Sequence, residues 1–122
     1  MASGITQVVN ETPYPTSLVR RIVLRHMRLS GEPRQVVVKL RRSKTDDRLG
    51  FYPFDPSAPI TLWVEPADRY PQPGAKTWWE ELGISAAHED WHRCHPEEGC
   101  GDGGCERRAE GHGMREWRTR RP

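Results

Sequence analysis

Between positions 16 and 30, Leu18, Ile22 and Leu29 recur at helical spacing, and Val19, Val23 and Met27 widen the stripe they form. Arg20, Arg21, Arg25 and Arg28 fall largely on the other side, with His26 inside the same stretch. Thr16 or Ser17 stands where an N-cap belongs, and Gly31 with Pro33 closes the segment. The pattern predicts a helix over 16–30. The character then changes to short β-branched runs. Val36-Val37-Val38-Lys39-Leu40 suits a buried strand, Leu49 to Phe54 a second one weakened by Pro53, and Ile60 to Val64 an alternating third that stops at Pro66. Three strands in series with polar turns predict a mainly antiparallel meander.

After a proline-rich loop over 69–75, Thr77 can cap a helix over 78–94, with Glu80 and Glu81 in its first turn complementing the helix dipole. Ile84, Ala87, Trp91 and Cys94 form its apolar face, and Pro96 ends it. Helical spacing resumes over 105–118 through Ala109, Gly113, Met114 and Trp117. Gly111 and Gly113 each cost about 1 kcal/mol against alanine, so packing or a ligand must hold this last helix. The order is helix, three strands, helix, helix: an α+β fold. Residues 1–15, which end in Glu11-Thr12-Pro13-Tyr14-Pro15, read as a loose lead-in, and 119–122 as a loose tail.

Composition narrows the picture without changing it. A chain of 122 residues has room for one domain, here 1–122. Hydrophobic residues make only 34% and charged residues 30%, which predicts a thin core in need of a staple such as a metal. Five tryptophans argue against disorder. Trp91 and Trp117 are placed to pack the last two helices together, and Trp63 to pack with the sheet. The net charge of +2 makes no case for nucleic acid as a partner. No apolar run suits a membrane span, and Met1 to Asn10 lacks the layout of a signal peptide. Three cysteines, an odd number, fit free thiols or a metal in a reducing cytoplasm better than a disulfide framework.

The candidate chemistry lies in Ala86-Ala87-His88-Glu89-Asp90-Trp91-His92, an H-E-x-x-H pattern on a predicted helix. Residues four apart lie one above the other, so His88 and His92 present both imidazoles to one point. Two such nitrogens suit Zn²⁺, which keeps four positions around it. Glu89 leans over the same point and can take a proton from a metal-bound water and pass it to a leaving amine.

Together with Cys105-Glu106-Arg107-Arg108-Ala109-Glu110, this segment resembles the gluzincin metallopeptidases. The layout is similar to the very small gluzincin-like domains of bacteria and their phages, over about 16–118 in element order and 86–117 at motif level. The resemblance implies one catalytic Zn²⁺ held by His88, His92 and Glu106, with Glu89 as general base, and a peptide or protein as substrate. It also implies that Glu110 supports a ligating histidine. Physically, a ligating imidazole needs an acceptor for its other N–H, and Glu110 is placed to serve His88. An edge strand of the sheet, such as Ile60 to Val64, is placed to pair with an extended substrate.

Other residues compete for the same chemistry. Cys94, His95, Cys100 and Cys105 could close a structural zinc site, either beside the catalytic ion or in place of it in a non-catalytic binding module. His95 itself is set off from the helix by Pro96. His26 reads as structural and His112 as a surface residue. Arg115, Arg118, Arg120 and Arg121 read as a solvated helix end.

Overall fold

The fold was taken from a computed structural model, which describes residues 5–27, 34–43, 50–51, 57–71, 75–94 and 104–119. It is α+β. Strand β1 (Ile5–Glu11) leads through helix α1 (Thr16–His26) to β2 (Arg34–Leu40), then to β3 (Gly50–Phe51) and β4 (Ile60–Val64). A short 3₁₀ turn (Ala67–Arg69) precedes helices α2 (Trp78–Cys94) and α3 (Gly104–Thr119).

The sheet has four strands in the order β1-β2-β4-β3. β1 and β4 both run parallel to β2, and only β3 is antiparallel, pairing Gly50 with Leu62 and Phe51 with Thr61. The expected antiparallel meander of three strands is therefore corrected. Its middle run does not separate β2 from β4 but lies beyond β4, and β2 takes the centre. Val36, Val37 and Val38 are all buried, as suits an interior strand, while Gln35 and Lys39 are exposed. The lead-in is corrected too: residues 5–11 are a strand, not a loose end. β4 is interior, so among the described residues the outermost strand on that side of the sheet is β3 and not Ile60–Val64. Residues 120–122 lie outside the described residues.

α1 and α2 cover one face. Val19, Ile22, Val23 and Met27 from α1 meet Val36 and Val38 of β2, Ile60, Leu62 and Val64 of β4, and Trp78, Leu82 and Ala86 of α2. α1 is shorter than its periodicity suggests, because Met27 is already extended (φ −120, ψ 109). Tyr14 stacks on Trp78 with centroids 4.3 Å apart, and its hydroxyl donates to the Glu65 carbonyl at 2.6 Å. α2 begins where its cap predicts: the Glu80 amide donates to Thr77 Oγ1 at 3.2 Å.

A buried charge cluster fixes this end of α2 to the sheet. Arg41, just past β2, donates through Nε to Glu65 and through an Nη to Glu81, and also reaches the Trp63 carbonyl at 3.1 Å. Glu81 accepts in addition from the Tyr70 hydroxyl and from the Glu65 amide. Burial works against the Arg41 charge, but its hydrogen bonds to Glu65 and Glu81 carry the guanidinium above its ordinary pKa. Burial and then the Glu81 bond hold the Tyr70 phenol far above its usual range.

Candidate metal centre

The second half of α2 carries the H-E-x-x-H residues into the interior. His88 and Glu89 are each 5% exposed and Asp90 is 6% exposed, while His92 is half-buried. The helical spacing does what it predicts: the His88 and His92 rings lie side by side, centroids 5.1 Å apart and planes inclined by 58°. Two imidazoles with nitrogens about 2.0–2.1 Å from one ion, at the tetrahedral angle, have centroids about 5.2 Å apart. The ring separation of the pair is of that size. His88 Nε2 lies 3.9 Å from Glu89 Oε2, so the carboxylate stands beside the His88 imidazole.

Two glycines make room for this arrangement. Gly50, on β3, lies against the Glu89 side chain; a β-carbon there would stand 2.8 Å from both its Cγ and its Oε2. Strand β3 thus passes against the Glu89 side chain. A glycine inside a strand pattern signals such a close backbone approach, and that signal was present in Leu49-Gly50-Phe51. Gly113, on α3, does the same for the helix pair: its β-carbon would stand 2.6 Å from the Ile84 carbonyl oxygen and 3.5 Å from the His88 nitrogen. In the sequence Gly113 is a cost to the helix, whereas in the fold it is the point where α3 closes on α2.

α2 and α3 run antiparallel. Trp117 lies over Gly83 and against the buried His26 ring, its Nε1 donating to Glu80 at 3.1 Å, while Trp91 clusters with Ala109 further along. Extending this register brings the backbone of Glu106 within about two residues of the level of His92, and that of Glu110 within about two of the level of His88, roughly 3 Å along the axis in each case. That is the order in which the resemblance uses them, but their side chains lie outside the described residues. Among the described residues, no group of three or more His, Cys, Asp or Glu side chains is gathered to hold an ion. The rival ligands His95 and Cys100 lie outside the described residues. Of Cys94 and Cys105, only the backbone is described, at the last position of α2 and the second of α3.

His26 is wholly buried between α1 and Trp117, His112 is half-buried and Arg118 is exposed. Among the described residues, no helix is long and apolar enough to cross a membrane. Compared with models of known families, with curated proteins and with solved structures, the chain matches none.

Proposed function

We propose that this protein is a zinc-dependent hydrolase of peptide bonds. The observation that carries the reading is the His88–His92 ring pair at the spacing of two imidazoles on one ion, with the buried Glu89 carboxylate beside His88. His88 and His92 would hold the zinc, Glu106 would complete the protein ligands, and Glu110 would fix the His88 ring. Bound zinc supplies a Lewis acid that polarises a carbonyl and acidifies water.

The chain's own residues do the rest. The outer edge of β3 binds an extended peptide through main-chain hydrogen bonds, and Gly50 brings that edge against Glu89. The scissile carbonyl is thereby held beside the carboxylate. Glu89 accepts a proton from the attacking water as the new C–O bond forms, then delivers it to the amine nitrogen as the C–N bond breaks. The helix presents Glu89 one residue after His88, which lets it serve as base without occupying a ligand position.

Glu89→Gln tests this reading. The variant should keep its fold and its zinc while hydrolysis of an unfolded protein substrate falls by about 10²–10⁴-fold. Hydrolysis near the wild-type rate in that variant would overturn the mechanism.

A further inference from the structure

The net charge of +2, which by itself makes no case for nucleic acid, is a difference between unlike parts of the chain. Between Thr12 and Thr45 there are nine lysines and arginines and a single acid, Glu32, so this stretch carries a formal +8 and the remainder −6. Asymmetry of that kind along one chain is the footprint of a polyanionic partner. The fold sets part of the stretch on the surface. Helix α1 buries Val19, Ile22, Val23 and His26 and turns Arg20, Arg21, Leu24 and Arg25 outward, with Ser17 one turn before Arg21. No acidic residue lies on α1, and among the described residues no carboxylate pairs with Arg20 or Arg21. Its first turn also has no side-chain cap. Arg21 and Arg25 stand one turn apart, a like-charge spacing that weakens a helix. The local choices that neutralise a helix face are missing here, and an external anion supplies what α1 lacks.

We infer that the outer face of α1 is a docking surface for the phosphate backbone of a nucleic acid, bound without regard to base sequence. Guanidinium forks match phosphate oxygens two at a time. Side chains three or four residues apart on a helix have β-carbons about 5–6 Å from each other, so the arginines of α1 can reach neighbouring phosphates. The Ser17 hydroxyl adds a neutral donor to the same face. A lipid surface is the poorer match. A helix that lies on a membrane inserts its apolar face, whereas Val19, Ile22 and Val23 are wholly buried in the core. Only Leu24, at 37% exposure, interrupts the polar surface of α1 with a large apolar side chain. Contacts to phosphate carry no base information, so binding is weak and governed by salt. Docking on α1 does not depend on the hydrolytic reading of the histidine pair.

Fluorescence anisotropy tests this on the full chain, titrated into a labelled mixed-sequence DNA duplex of about 20 base pairs at salt between about 50 and 200 mM. The logarithm of affinity should fall against that of salt with a slope of about −2 to −3, as two or three neutralised phosphates require. Combining Arg20→Gln with Arg21→Gln, on exposed positions that glutamine keeps helical, should weaken binding about tenfold at the lowest salt and flatten the slope by about 2. Arg20→Lys with Arg21→Lys keeps the charge and should keep most of the slope. The same loss of charge on α3, by Arg107→Gln with Arg118→Gln, should leave binding within about twofold of wild type. No binding by the wild type at the lowest salt would overturn the proposal, as would equal losses from the α1 and α3 replacements. Tighter association with phosphatidylserine vesicles than with DNA, lost with Arg20 and Arg21, would assign the face to lipid instead.

Discussion

At its N-terminal end α2 buries Glu81 against Arg41, Glu65 and Tyr70, whereas seven residues further on it buries His88, Glu89 and Asp90 beside His92. Both regions take ionisable groups out of water, which is costly unless they are compensated. The first contains its own cation: one guanidinium bridges two carboxylates, and a phenol completes them. The second is built of imidazoles and carboxylates, the donor types that gather around a metal cation. The two clusters therefore have different dependencies. The first should respond to alkaline pH but not to chelators, and the second to chelators.

Removing the internal cation should have the largest effect on stability. Arg41→Met leaves Glu81 buried without its cation and Glu65 with Arg69 alone, at 3.3 Å, and should cost about 3–5 kcal/mol, lowering the melting temperature steeply in calorimetry. A small loss would mean that the cluster is wetter than its burial implies.

Closing the helix pair comes next. Gly113→Ala improves helix propensity by about 1 kcal/mol, yet it sets a methyl group against the Ile84 carbonyl, and the resulting shift should cost about 1–3 kcal/mol. The net should be a lower melting temperature together with weaker zinc retention, since α3 carries Glu106. A stabilised variant would show that the two helices separate easily.

Gly50→Ala should barely change the melting temperature, by less than about 1 kcal/mol, because β3 is a two-residue edge strand. It should nevertheless lower hydrolysis by displacing Glu89, with zinc content unchanged. Loss of metal in this variant would place Gly50 at a ligand and not at the base.

The smallest effect concerns pH. Tyr14 and Tyr70 have raised pKa values in the folded chain, from burial first and from Glu81 next. Above pH 10 the unfolded chain loses these protons while the folded one keeps them, so stability is full below pH 10 and declines above it. Denaturant titrations between pH 9 and 11 should show that slope flattened in Tyr70→Phe. An equal slope in both proteins would remove Tyr70 from the cluster.

The contrast between the two ends of α2 also marks how far the sequence could be read. α2 itself, β4 and the histidine pair follow from local signals: Thr77 as cap, clean alternation over 60–64, and ligands four residues apart on a helix. The Arg41 cluster does not, because its members come together from 24 and 40 residues away and each alone looks like a surface charge. Parallel pairing is non-local in the same sense. β1 joins β2 across the whole of α1, and nothing in Ile5–Glu11 announces the partner. The three consecutive buried valines of β2 were the available hint of a central strand. Gly50 and Gly113 were visible as glycines but not as contacts, since what each one admits lies on another element. Arg115 reads in the sequence as part of a solvated helix end, whereas it lines a cavity with Trp91, Arg107 and Arg108.

The most direct test of the central claim is an element-resolved metal count on the purified chain and two sets of variants. The account predicts about one zinc per chain in the wild type. Zinc should be lost in His88→Ala and in His92→Ala, and retained when Cys94, Cys100 and Cys105 are all replaced by serine. A wild type without zinc, or metal that survives both histidine replacements but leaves with the cysteines, would contradict it.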